Sequence, residues 1–157
     1  MKINADKFIA AAGKVKLSPL YLVTGDETLI CHQVMDLIRG QLDESGYQER
    51  SKFVYQRGFD WSQLTNEIAN LSLFANRKLV ELQLMSSKIG DSGSQILTAI
   101  ASNPLEDVVL LINCGKLEQA QWRTKWIKAI EKAGVIVQVW PIDSSQLPQW
   151  IAGRASY

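Results

Sequence analysis

The sequence predicts an α/β fold: a mostly parallel sheet with helices on both faces. Three observations carry this expectation. Short apolar runs alternate with segments of helical periodicity along most of the chain. The most apolar run, Val108-Val109-Leu110-Leu111-Ile112, shows no polar alternation, which suits a central strand covered on both faces. Capping patterns and glycines punctuate the joints between runs.

The first expected strand is Leu20-Tyr21-Leu22-Val23-Thr24, ending at Gly25. A helix should follow, because Ile30, Val34, Leu37, Ile38 and Leu42 recur at helical spacing. Thr24 and Glu27 stand in capping-box register at its start, and Gly46 sits just past its end. Lys52-Phe53-Val54-Tyr55 reads as a second, weaker strand. Asp60-Trp61-Ser62-Gln63 is another capping pattern, opening a helix with Trp61, Leu64, Ile68 and Leu71 on one side. Lys78-Leu79-Val80-Glu81-Leu82 reads as the third strand. The small, polar residues 86–93 read as a loop, and Ile96, Leu97 and Ile100 as a short helix stopped by Asn103-Pro104. After the fourth strand, Trp122, Trp126, Ala129, Ile130 and Ala133 form a helical stripe closed by Gly134. Residues 135–140 are the fifth strand. Past Pro141 the pattern changes: Asp143 and Gln146 resemble a cap, and Leu147, Trp150, Ile151 and Arg154 begin a helix. Residues 1–140 are therefore expected to be one domain, and 141–157 the truncated start of a second, helical one.

Composition narrows the function classes. Apolar residues make up 46% of the 157, enough for a substantial core. A formal net charge of +1 argues against a chain built mainly to coat nucleic acid. Cys31 and Cys114 show no metal-ligand spacing and read as buried thiols of a reducing compartment. No run of about 18 apolar residues is present, so no membrane span is expected. Residues 1–13 lack an apolar signal core, and the expected location is cytoplasmic.

The natural seat of chemistry in such a fold is the loop after the first strand. A phosphate-binding loop needs G-x-x-x-x-G-K-[ST] there, so that backbone N–H groups and a lysine surround the phosphates. Gly25 supplies the first position, but Ile30, Cys31 and His32 stand where Gly, Lys and Ser or Thr belong. Asp26 and Glu27 would repel a triphosphate and suit the positive end of the following helix instead. The magnesium-binding acid expected at the end of the central strand is absent, since that strand ends in Ile112-Asn113-Cys114. His32 and Cys31 point about 100° apart on a helix and cannot easily share a metal. Ser144-Ser145 lack a base and read as a helix cap. Paired acids at 26–27, 43–44 and 106–107 are sequence neighbours that diverge. No catalytic residue, cofactor or metal is expected.

Two patterns point to binding. Arg123, Lys125, Lys128 and Lys132 decorate the helix whose other side carries the tryptophan stripe; they read as a solvated face or as contacts to DNA phosphates. In Leu71-Ser72-Leu73-Phe74-Ala75, Leu73 lies about 200° around a continued helix from Leu71, the last residue of its buried stripe. On pattern alone, Leu73 and Phe74 either form an exposed docking wedge with a polar rim or tuck into the core where the helix ends near Asn70.

Leu71-Ser72-Leu73-Phe74-Ala75-Asn76-Arg77 resembles the clamp-binding element of the δ-subunit family of the bacterial DNA polymerase III clamp loader. Tyr21-Leu22-Val23-Thr24-Gly25-Asp26, Asp60-Trp61, Asp107-Val108-Val109-Leu110-Leu111-Ile112, Gly115-Lys116-Leu117 and Leu147-Pro148-Gln149-Trp150-Ile151 are also similar to that family, in order along the chain. The resemblance implies an AAA+-like, three-layer N-terminal domain with a five-stranded sheet of order 5-1-4-3-2 and no working nucleotide site. It implies that Leu73 and Phe74, flanked by Leu71 and Ser72, insert into a hydrophobic pocket of the sliding clamp (the beta subunit). The other implied partners are the gamma/tau and delta prime clamp-loader subunits and DNA within the complex, with no membrane. The alternatives from other classes are a P-loop-like nucleotide-binding enzyme domain and a DNA-contacting accessory domain acting through the basic helix.

Overall fold

In the computed structural model, six strands form one wholly parallel sheet among the described residues, which are 1–11, 17–47, 49–56, 58–69, 77–85, 88–103 and 107–139. In chain order the elements are β1 (Lys2–Asn4), α1 (Ala5–Ala10), β2 (Leu20–Thr24), α2 (Thr28–Glu44), β3 (Glu49–Tyr55) and α3 (Trp61–Ala69). They continue with β4 (Lys78–Leu84), α4 (Gly90–Ser102), β5 (Val108–Cys114), α5 (Gln119–Trp122), α6 (Lys125–Ala133) and β6 (Val135–Gln138). The sheet order is β1-β6-β2-β5-β4-β3. The five expected strands keep the neighbours anticipated for them. The correction is a sixth strand: Lys2–Asn4 pairs with β6 at the edge, Ile3 opposite Val137.

The central strands are apolar on both sides because helices cover both faces. Leu20, Leu22, Leu110, Ile112 and Val80 point to a layer holding Trp61, Leu64, Leu97, Trp126, Ile127 and Ile130. Tyr21, Val23, Val109, Leu111 and Val137 point to the opposite layer, with Phe8, Ile30, Val34, Ile38 and Leu42. This two-residue alternation is the strand period made visible. Each fully buried leucine or isoleucine contributes about 1.5–3 kcal/mol. β3, at the open edge, alternates half-buried with exposed positions, in keeping with its weaker pattern.

Several local expectations are corrected. Thr24 does not cap α2; it is the last residue of β2, and its hydroxyl donates to the Gly115 carbonyl at 2.7 Å. Asp60 does cap α3, its carboxylate accepting from the Ser62 backbone N–H at 3.0 Å. α4 starts at Gly90, inside the stretch read as a loop. Its Gly93 packs so closely on Trp61 that a Cβ would lie 2.5 Å from the indole, so the glycine serves contact between helices. The tryptophan stripe spans two helices, because the chain breaks at Arg123 and Thr124 between α5 and α6. Gly134 follows α6 with an extended backbone, where a Cβ would collide with Leu20. The helix expected after Asp143, and with it the boundary near residue 140, falls outside the described residues.

Candidate functional site

The carboxyl-terminal tip of β2 is where an α/β sheet would hold a phosphate. Here Gly25 takes a φ of +152°, and a Cβ on it would stand 2.5 Å from the Val139 carbonyl oxygen and 2.6 Å from the Val139 Cβ. The Val139 N–H donates to the Thr24 carbonyl at 2.8 Å, which draws the chain after β6 across the tip. A backbone carbonyl therefore sits where a phosphate cradle needs N–H donors, and it repels anions. Ile30 and Cys31 are buried in the layer beneath, His32 is exposed, and Asp26 faces solvent. Asn113 ends half-buried on β5 beside Val23. The glycine shared with phosphate loops is thus explained by packing against Val139, a residue that motif reading did not connect to it.

Both cysteines lie close to this tip and both are buried. Burial pushes the Cys31 thiol up to about 11, with Glu27 and Asp26 adding to the shift. Burial pushes the Cys114 thiol up to about 12. The pair fits the inert apolar role expected, because the thiolate is the reactive form. Among the described residues no cluster of three or more His, Cys, Asp or Glu could hold a metal.

The basic residues separate into two groups. Lys125, Lys128 and Lys132 are exposed on α6, opposite the buried Trp126, Ile127 and Ile130. Arg123 is exposed too, but it lies in the break before α6 and not on the helix. Among the described residues none of the four forms an ion pair. Lys2 lies beside them, its ammonium 4.1 Å from the centre of the Trp122 ring. The sequence reading missed Lys2 because β1 has only three residues and no legible period; the signal was Asn4, whose side chain accepts from the Lys7 N–H at 2.9 Å and starts α1.

Leu71, Ser72, Leu73 and Phe74 lie outside the described residues. What flanks them is described. Trp61, Leu64 and Ile68 of the expected stripe form the buried face of α3, and its fourth member, Leu71, lies outside the described residues. The chain reappears at Arg77, which donates to the Ser45 carbonyl and places its guanidinium 5.7 Å from the Tyr47 ring centre. Lys78 follows, buried, its ammonium paired with Glu67 of α3. Glu67 also accepts from the Ser51 hydroxyl at 2.5 Å, and the Lys78 ammonium holds its carboxyl below the usual range. Lys78 escaped sequence reasoning because a lysine opening a strand looks solvent-facing, and its partner belongs to another element.

A family model described as DNA polymerase III, delta subunit, matches residues 21–139. DNA polymerase III subunit delta of Escherichia coli (strain K12) is 27% identical over 139 residues, covering 88% of this chain and 40% of its own length. The chain thus spans about two fifths of that relative. Among solved structures, the Bacillus subtilis DNA clamp loader delta protein superposes with a TM-score of 0.71 at 15% identity, over 97% of this chain and 47% of that one. The Aeropyrum pernix ORC1 protein, solved in complex with DNA, gives a TM-score of 0.50 at 14% identity, over 96% of this chain and 47% of its own. These likenesses establish the α/β fold with its parallel sheet.

Proposed function

Given that the chain belongs to the DNA polymerase III delta-subunit family, we propose that it grips the sliding clamp through Leu73 and Phe74, flanked by Leu71 and Ser72, and catalyses nothing itself. The observation that supports this reading is the buried face of α3. Trp61, Leu64 and Ile68 form it at the stripe's spacing, and Leu73 and Phe74 follow in sequence off that spacing. A Leu-Phe pair with polar neighbours is the composition of a docking anchor.

The mechanism is a shift of equilibrium. A clamp ring is closed by interfaces between its own subunits. A wedge that binds the open geometry better than the closed one favours opening by its differential affinity. This chain spends no nucleotide in doing so; the filled tip at Gly25 and Val139 supports that part of the reading. The gamma/tau and delta prime subunits would supply the nucleotide-driven motion, in the cytoplasm. Arg123, Lys125, Lys128 and Lys132, joined by Lys2, would meet DNA phosphates within the assembly. Exposure of all five supports this second contact.

Burying one leucine and one phenylalanine contributes about 1.5–3 kcal/mol each. The double variant L73A/F74A should therefore weaken clamp binding by about two to four decades. Clamp binding at wild-type strength by a folded L73A/F74A protein would sink the wedge. Calorimetric titration with ATP separates this reading from the nucleotide-binding enzyme: specific binding at micromolar level would overturn the non-catalytic reading.

A further inference from the structure

β3 is the last strand in the sheet order, and among the described residues no strand lies on its outer side. Its inner side is paired with β4 in unbroken register, from Glu49 opposite Lys78 to Tyr55 opposite Leu84. The Tyr55 carbonyl accepts from the Met85 N–H at 3.3 Å, so the backbone groups of Tyr55 point toward β4. That direction alternates residue by residue along a strand. The N–H and C=O groups of Arg50, Lys52 and Val54 therefore point outward. The side chains of these same residues are exposed.

Proteins blunt open edges by shortness, proline, bulges or charge. β3 has seven residues, as many as β4 and β5, and contains no proline. Charge is the device that remains. Neither Arg50 nor Lys52 forms an ion pair among the described residues. Lys52 stands opposite Glu81 of β4, but that carboxylate accepts from Arg39 Nε at 3.0 Å and from its Nη2 at 2.5 Å. On the other face of the strand, Phe53 and Tyr55 are half-buried and meet Phe59 edge-on, with ring centres 6.4 Å and 5.9 Å apart.

We propose that the outer edge of β3 receives an extended, acidic segment of a protein partner as a further strand. Carboxylates on alternate residues of that segment stand opposite Arg50 and Lys52, and apolar residues between them lie beside Phe53 and Tyr55. Other occupants match the edge less fully. A second copy, paired antiparallel about Lys52, sets lysine against lysine, and like charges directly opposite are destabilising. A DNA backbone offers acceptors to the cations and N–H groups but no donors to the outward carbonyls. Arg50, Lys52 and Val54 belong to none of the contacts proposed above, so this one holds or fails independently of them.

The probe is a capped peptide of alternating glutamate and valine, as long as β3, titrated into the full chain. One control peptide carries lysine in place of glutamate, and another has its amides N-methylated. Calorimetry reads affinity, and amide exchange reads the site. Only the glutamate peptide with free amides should bind saturably, slowing exchange at Arg50, Lys52 and Val54. R50E/K52E should weaken binding about tenfold or more at an unchanged urea midpoint, because both attractive pairs become repulsive. V54P removes an outward N–H without breaking the ladder to β4, and should weaken binding about fivefold. If V54P unfolds, R50E/K52E decides the matter. Absence of saturable binding up to about 1 mM would overturn the proposal. Equal binding of either control peptide, or protection confined to residues outside β3, would do the same. A DNA duplex that slows exchange at Arg50, Lys52 and Val54 more than the peptide does, or a free chain that dimerises with those amides protected, would replace the acidic segment as the occupant and overturn it too.

Discussion

Replacing Gly25 with alanine separates two explanations of the same residue. In a phosphate loop the glycine exists for a ligand, and alanine would leave the empty fold nearly untouched. Here the backbone conformation and the packing both demand glycine. Holding a residue with a side chain at a φ of +152° costs about 1–3 kcal/mol. The added Cβ also meets the Val139 carbonyl oxygen at 2.5 Å and the Val139 Cβ at 2.6 Å, well inside contact distance. Neither is the far end of a flexible side chain, so relief requires the backbone after β6 to move. Overpacking of that kind costs about 1–3 kcal/mol more. The sum, about 2–6 kcal/mol, is a large part of the roughly 5–15 kcal/mol that holds a domain together. With a urea dependence of about 2 kcal/mol per molar, the denaturation midpoint should fall by about 1–3 M. Since Val139 also donates to Thr24, amide exchange at Val139 should accelerate in the variant more than exchange in α4. A Gly25→Ala protein whose unfolding free energy matches wild type within about 0.5 kcal/mol would refute the packing account.

Two further outcomes follow from the same structure. Both thiols have folded values above the ordinary 9.0, near 11 for Cys31 and 12 for Cys114, so the protonated folded form is favoured. That stability is fully present below pH 9 and is lost as pH rises through 11 and 12; urea midpoints measured across this range should decline less in Cys31→Ala/Cys114→Ala than in wild type. An equal decline would show that the thiols release their protons over the same pH range folded and unfolded. Replacing Lys125, Lys128 and Lys132 together with alanine should lower the slope of log affinity for DNA against log salt by about 2–3, measured in the assembled complex. An unchanged slope would leave these residues as a solvated face.

What the sequence made legible follows the physics of burial. Leu20–Thr24 and Val108–Cys114 are covered on both faces, so they announced themselves as unbroken apolar runs. β1 could not, because three residues paired along one side carry no period. α4 was read too short because Gly90, Asp91, Ser92 and Gly93 have loop composition; Gly93 is helical because Trp61 needs the room. Of the candidate site, the basic residues were legible as exposed charges. The Glu67–Lys78 clasp was not, since pairing between a helix and a strand depends on tertiary contact that no local pattern encodes. Thr24 was misread for a related reason: a strand-end hydroxyl and a helix-capping hydroxyl have one sequence signature, and only the position of Gly115 decides between them.

The parallel sheet gives the two ends of this molecule different work. Every pairing is parallel, so the tips of β2 and β5 share one edge, and the start of β4 lies at the other. A strand of five to seven residues spans about 16–23 Å at roughly 3.3 Å per residue. β4 begins at Lys78, at the edge remote from Gly25. Rigid parallel strands between the two would carry displacement as a unit, since a close-packed core deforms little. Val139 packs against Gly25 at the near edge, and the Lys78–Glu67 ion pair ties β4 to α3 at the far one.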